Sequence, residues 1–592
     1  MNKNILTLNM LVLLLLMGIA IVAVWIKACP DGDIYVAIAG GRDILNGKLA
    51  QPDTWSFMTN NRIWVNQNWG ADIIFYLIYS HLGQWGFLLF KLALFVLCSL
   101  FVVNTLAKRN VPFYISIPMF SLGLLSIYLY AFLRPNLIAM TIFIPLLFLL
   151  LYSSREKPAF LWFSAVLVVI WANFHGSYIL GIFMMALWAG INIIKPADYE
   201  NIKSLKKYRW NLALPVLISI LSVGIINPFG IENITFSFAI ISSTWRKIEE
   251  WKPMWADNFS LVSSGCIVFL SVFFLFLLLR IISEYRNFIN YKNGKKVIKK
   301  APYNIFNSIE NVEIFEVCVA LGTIAMALFS KRFVPFAVLT SIYPVSIWLW
   351  RFISHLGDIV IMKMVPVLMG IVVLIASLSL LFSFYYPYSV GNQFMDEGTF
   401  FERMQFTNSD FPVKLLEFMN TNNISGNAFC PWTWEGFVRL KCPQIKVYAG
   451  ARAQQVYDEK TNENYLNLSS ENPSIELLKQ DNVHMLILPS NDGSFTTLIK
   501  KVLDEGSWVA IYADTNDMLL VDSQYSGNHM FIEKALKSQL VYYDANSRTL
   551  SPYALMLGTY GGISQDEKVN KFSNLSDITF VHGFIMTFQE YY

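Results

Sequence analysis

Charge is what this sequence has little of. Only 15% of its 592 residues are Asp, Glu, Lys or Arg, against about 25% in an ordinary soluble chain. Net charge is small as well, +4 at pH 7, which gives a nucleic-acid partner no support. Cysteine is sparse: Cys29, Cys98, Cys266, Cys318, Cys430 and Cys442 never fall into the C-x2-C spacing of a metal site. Cys430 and Cys442 share one soluble segment. They are able to pair if that segment is extracytoplasmic, and the other reading is two small buried residues. No internal repeat and no low-complexity tract occurs. A cleavable leader is not expected either. Met1 to Asn4 is short and weakly basic, and the apolar run after it outlasts an h-region with no small-residue cleavage pattern following.

What is abundant is apolar: 55% of the residues are hydrophobic and the mean hydropathy is +0.46. The chain therefore reads as a polytopic α-helical membrane protein. About eleven runs are long enough to cross a bilayer, near 5–27, 84–107, 111–133, 136–153, 159–174, 177–194, 210–226, 259–283, 312–330, 333–352 and 364–386. Trp69 to Leu82 is shorter and amphipathic, suited to a helix at the membrane surface. Basic residues follow every even-numbered span: Lys108 and Arg109, Arg155 and Lys157, Lys203 to Arg209, and Arg286 to Lys300. The positive-inside bias then puts those loops and the N-terminus in the cytoplasm of an inner-membrane protein, and the C-terminal region outside.

Three segments follow from this: residues 1–390 as the transmembrane domain with a first outer loop 28–83, residues 391–523 as an extracytoplasmic α/β domain, and 524–592 as an extension of unassigned structure. Within the second, 483–489 and 508–512 read as strands, and 411–420, 474–480 and 496–503 as helices.

Polar residues gather on the outer side. Asp31-Gly-Asp33 follows the first span and suits cation binding or proton transfer, although Asp33 also suits a helix cap ahead of Ile34 to Leu45. Trp64-Val-Asn66-Gln67-Asn68-Trp69 is an aromatic and amide cluster, or a Trp belt at the interface. Arg134 lies between two spans, and a charge at that depth is a functional hypothesis by default. His175, in Trp171-Ala-Asn173-Phe-His175-Gly, can hold or move a proton or join two helices through a bonded turn. Lys331-Arg332, with Arg246 and Lys247, suit a phosphate or ordinary lipid heads.

In this order and topology the residues resemble the GT-C superfamily of membrane glycosyltransferases, which includes protein mannosyltransferases and the aminoarabinose-lipid A transferase. A set of bacterial multi-span proteins with a D-P-D-x-W-W-H first-loop pattern resembles the chain more closely. The matching stretches are Asp31-Gly-Asp33, Trp64 to Trp69, Arg134-Pro135, Trp171 to Gly176, Asn227-Pro-Phe-Gly230, Glu250-Trp251-Lys-Pro253, Arg332-Phe-Val-Pro335, Pro431 to Phe437 and Lys446 to Arg452. The chain departs from the pattern at Ala37, Gln67, Asn68 and Gly450, where the family carries His, His, Glu and an acid.

The resemblance implies transfer of a sugar from a polyprenyl-phosphate donor to an extracytoplasmic lipid, glycan or protein. Asp33 and Asp31 would be the catalytic carboxylates and the candidate ligands of a divalent cation, Mg or Mn. Arg134, His175, Lys331 and Arg332 would meet the phosphate of the donor. Trp64, Asn66, Gln67, Asn173 and Glu250 would contact the acceptor or the sugar. Membrane lipids are the remaining partners, with a protein partner through the C-terminal region. The lost polar helpers support a second reading, a non-catalytic scaffold or accessory subunit of an envelope complex. A transporter of lipid-linked sugars is a third, for which the chain lacks the expected repeat.

Overall fold

The computed structural model describes residue 18 and residues 32–130, 132–152, 159–195, 202–239, 249–256, 262–292, 310–356, 359–390, 411–489, 493–513, 517–537, 541–544 and 549–552. The first expected span, Cys29, Asp31, Arg246, Lys247 and the C-terminal extension past 552 lie outside the described residues. The chain divides into two compact units. One comprises Met1–Cys29 and Ile78–Met404, the other Pro30–Leu77 and Gln405–Tyr592. The first outer loop thus belongs with the C-terminal residues.

Elements are numbered along the chain. α1 is Gly32–Asp43 and α2 is Trp69–Lys108, broken at Gly83, whose φ of 59° with ψ of −149° suits glycine alone. The break separates the amphipathic segment from the apolar span. The helical unit continues with α3 (Phe113–Ser126), α4 (Pro135–Tyr152), α5 (Ala159–Ala172), α6 (Tyr178–Ile194), α7 (Ile202–Ile226), α8 (Ile231–Ala239), α9 (Ser264–Lys292), α10 (Asn311–Phe329), α11 (Val334–Leu356) and α12 (Ile359–Val390).

Among the described residues, five stretches are long and apolar enough to cross a membrane: Trp85–Lys108, Arg209–Ile226, Ser264–Arg286, Asn311–Phe329 and Lys331–His355. Shorter apolar helices stand at Phe113–Ser126, Pro135–Leu151, Ala159–Ala172, Tyr178–Ile194 and Val367–Leu380. Such helices close their own backbone hydrogen bonds, as an apolar solvent demands. Their hydroxyls bond back into the helix, Thr141 to the Leu137 carbonyl at 2.9 Å and Ser346 to that of Ile342 at 2.6 Å. α11 is the central helix, with Phe336, Ala337, Ile342 and Tyr343 all buried. Its Thr340 hydroxyl meets that of Thr323 on α10 at 2.8 Å.

The second unit holds a five-stranded mixed sheet in the order β2-β1-β3-β5-β4. Its strands are β1 (Gly426–Phe429), β2 (Ile445–Val447), β3 (Met485–Pro489), β4 (Trp508–Ala513) and β5 (Asp517–Asp522). β1 pairs in parallel with β2 and β3, and β5 pairs antiparallel with β3 and β4. The parallel pair β1 and β2 needs a crossover, supplied by the helix α14 (Glu435–Lys441) after α13 (Val413–Thr421). Further helices are α15 (Glu459–Leu468), α16 (Glu476–Gln480), α17 (Gly493–Glu505) and α18 (His529–Lys537), and a separate hairpin joins β6 (Val541–Asp544) to β7 (Thr549–Pro552).

Residues 32–66 complete this unit. The Val447 amide donates to the Trp55 carbonyl at 2.8 Å, and Ser56 bridges to Val447 in parallel, covering the β2 edge. α1 lies directly on α14. A Cβ at Gly32 would strike the Thr433 backbone, and one at Gly436 would strike Tyr35 and Val36. The Tyr35 ring wedges between Phe411 and Phe437, with centroids 4.6 and 4.8 Å away. Cys430 and Cys442 are unpaired and buried, the second bonding the Leu416 carbonyl at 3.4 Å, so of the two readings the small-buried-residue one describes them.

Candidate functional site

In the helical unit, turns at the ends of apolar helices bring together Arg134, His175, Glu250, Lys331 and Arg332. The turn between α5 and α6 is fixed from within. The His175 amide donates to the Trp171 carbonyl at 2.9 Å. The Asn173 amide group caps the Val169 carbonyl at 2.8 Å. Asn227, from the Asn-Pro-Phe-Gly turn, donates to the Ala172 carbonyl at 3.0 Å and to Asn173 Oδ1 at 3.2 Å. Two of the quoted motifs thus hold each other, and Asn173 is buried as a structural amide. His175 Nδ1 accepts the Ser177 amide at 3.1 Å and meets the Ser177 hydroxyl at 2.7 Å, so the neutral ring carries its proton on Nε2. Burial, and then the Arg332 charge, push its pKa down to about 3, against a weaker upward pull from Glu250.

Glu250 is the centre of the cluster. One carboxylate oxygen pairs with Arg134 Nη1, and the other accepts Arg332 Nε at 3.2 Å. Burial raises its pKa, but the Arg134 and Arg332 guanidiniums outweigh that and hold it at about 2. Arg332 also lies over the Trp251 ring at 4.4 Å, and Arg134 over Phe132 at 5.4 Å. The Ser330 hydroxyl donates to the Glu250 carbonyl at 3.1 Å, and the Lys331 amide to the Lys252 carbonyl at 3.0 Å. Tyr130 donates to the Lys331 carbonyl at 2.8 Å, and the Lys331 side chain is wholly buried. Two guanidiniums thus share one carboxylate beside a neutral imidazole. An anion is what such a site accommodates.

The remaining candidates lie in the α/β unit. Asp33 stands in the first turn of α1, half-buried, and so is not the cap before the helix. Trp64 Nε1 donates to Gln455 at 2.7 Å, and Asn66 Nδ2 donates to Asp72 at 2.6 Å. Asn66 and Gln67 are both buried. Burial pushes the Asp72 carboxyl well above the usual carboxylate range, and the Asn66 bond offsets this only in part.

Sequence reasoning missed the most heavily bonded charges of this unit. Arg452 is fully buried. It donates to Glu435 through Nε at 2.7 Å, to both Asp53 oxygens at 2.5 and 3.1 Å, and to the Tyr457 hydroxyl at 3.2 Å. A second pair joins Arg439 Nη2 to Asp43 at 2.9 Å, with Trp55 Nε1 on the same oxygen at 2.9 Å. An Arg ending the apolar run Val447 to Ala451, and two Asp residues, Asp43 and Asp53, ahead of Trp55, were the only signals. Among the described residues no group of three or more His, Cys, Asp or Glu side chains is arranged to hold a metal.

No known family's sequence profile matches the chain, and no curated protein matches it in sequence. Solved structures do match its fold. The oligosaccharyltransferase of Archaeoglobus fulgidus in its apo form aligns over 87% of this chain and 75% of its own, at 9% identity and a TM-score of 0.50. The same organism's oligosaccharyltransferase AglB, in complex with an inhibitory peptide and a dolichol-phosphate, aligns over 87% and 74%, at 10% identity and a TM-score of 0.50. The chain shares the GT-C fold of these enzymes.

Proposed function

We propose that this chain is a membrane glycosyltransferase of GT-C type, moving a sugar from a polyprenyl-phosphate donor to an acceptor outside the cytoplasm. The observation that carries the reading is the half-buried Arg134–Glu250–Arg332 cluster, which sets two guanidiniums side by side on one carboxylate next to His175. A phosphate leaving group is the anion such a pair of guanidiniums would stabilise. His175, neutral with a proton on Nε2, would donate to it. A fold neighbour solved with dolichol-phosphate agrees with a lipid-borne donor.

Asp33 is the proposed general base on the acceptor, with Asp31 orienting it. Help of that kind is worth roughly 10²–10⁴ in rate. A divalent ion, Mg or Mn, would be held by Asp33 together with Asp31, which lies outside the described residues. Trp64, Asn66, Gln67 and Asn173 keep the proposed part of contacting the acceptor or the sugar, Trp64, Asn66 and Asn173 being also bonded within their own units. The eleven spans, the inner membrane, the cytoplasmic N-terminus and the outward α/β unit belong to this proposal too.

One observation favours the second reading, a non-catalytic subunit on the same fold. Glu250 already occupies both arginines, so the cluster holds an internal anion. Replacing Asp33 with Asn, in cells whose envelope lipids, glycans and proteins are labelled with radioactive sugar, separates the two. Loss of label to the level of the deletion strain is expected of the enzyme. Wild-type labelling beside a clear defect in the deletion would sink it and favour the subunit.

A further inference from the structure

In the α/β unit, β1 has β2 on one side and β3 on the other, so the C-terminal ends of these parallel strands form a topological switch point. Open sheets of this kind take their ligands there. Arg452 lies in the loop after β2, and Glu435 heads the helix after β1. Residues 53–59 from the first loop run along the β2 edge beside these ends, where Ser56 bridges to Val447. Asp53 is the anion on Arg452, the Ser56 hydroxyl donates to the Tyr448 carbonyl at 2.9 Å, and Trp55 stacks on the guanidinium at 4.5 Å. The same loop residue, Trp55, bonds Asp43 at the end of α1, where Arg439 also binds. Arg42 on α1 adds bonds to the carbonyls of Leu440 and Arg439 at 2.9 and 3.0 Å. α1 is therefore fixed at its start by the Gly32–Thr433 approach and at its end by charges tied to the loop.

We propose that Arg452, with Asp53 as its built-in anion, is a positioning residue: it locks the first loop against the β2 edge and so holds α1, and the Asp33 carboxylate on it, in one orientation. This rests on Asp33 being the reacting carboxylate. The lock adds to the α14 face and to the first turn of α2, because it ties the end of α1 through Asp43, Trp55 and Arg439 to the loop that Arg452 holds.

Hydrogen–deuterium exchange on the full chain in lipid nanodiscs tests it, since exchange reads local opening separately from global unfolding. Asp53→Asn keeps the shape and removes the anion. Expected is at least a tenfold loss of protection in residues 34–43, with residues 485–489 and 517–522 as protected as in the wild type. Arg452→Lys, which keeps a cation, should lose less. Unchanged protection over 34–43 would overturn the proposal. So would an equal loss across 34–43 and the sheet, which would make the pair a general stabiliser only. The rate of sugar incorporation at saturating donor should fall tenfold or more in Asp53→Asn with KM unchanged. Full transfer by Asp33→Asn would count against the proposed reaction, while the exchange result would still decide the lock.

Discussion

At the scale of single residues, the two units treat charge differently. Arg452 donates through Nε, Nη1 and Nη2 to two carboxylates and a phenol, and is wholly out of water. Coulombic attraction from Glu435, Tyr457 and Asp53 more than offsets burial, so its pKa lies well above the usual arginine value. Removing one member of such a group strands the others. Arg452→Met is expected to cost about 3–5 kcal/mol, read as a fall in the melting temperature of the purified protein. In the helical unit the consequence is a pH dependence. Glu250 titrates lower in the folded chain than its ordinary 4.5, at about 2. The unfolded state then binds more protons in that interval, so stability is full above about pH 4.5 and is lost as pH falls toward 2. His175 shifts from 6.5 to about 3, and by the same sign its contribution is present above pH 6.5 and lost as pH falls. Melting curves from pH 7 to 3 should slope less in His175→Asn, and Glu250→Gln should flatten only the acid end.

At the scale of elements, close approach is set by glycine. α1 carries Gly40 and Gly41 against the first turn of α2, where a Cβ at Gly41 would overlap the Asp72 carbonyl. Gly436 does the same for the α1–α14 face. Neither position needs a left-handed backbone; what each needs is the absence of a side chain. Gly41→Ala and Gly436→Ala are expected to destabilise by about 1–3 kcal/mol, the range for overpacking a filled interface, measured by thermal unfolding. Gly190→Ala, with nothing within 4 Å of the new Cβ, should be neutral or mildly stabilising in its helix.

At the scale of the whole molecule, the α/β unit is made of two pieces of chain, 30–77 and 405–592. Ile34, Tyr35, Ile38 and Trp55 are buried there among residues more than three hundred positions away in sequence. Truncation before residue 405 should therefore expose them. Limited proteolysis is expected to cut within residues 44–66 of the truncated protein and to spare that segment in the full chain.

Much of the helical part was legible because its signal is local. An apolar run of fixed length favours a helix whatever surrounds it, and α3 to α7 and α9 to α12 fall on the apolar runs, whereas α8 lies between two of them. The strands at 485–489 and 508–513 were legible for the same reason, as short apolar runs between breakers. The positions of Arg134, Glu250 and Arg332 were singled out one at a time, but their pairing through one carboxylate was not. Composition and periodicity determined by themselves that this is a multi-helix membrane protein with an α/β region near its C-terminus. Tertiary structure alone decided that Asp33 rides on a helix of that α/β unit, and that Asp53, Glu435 and Arg452 meet. Hydropathy depends on neighbours in sequence, whereas an ion pair across 399 residues depends only on where the chain returns.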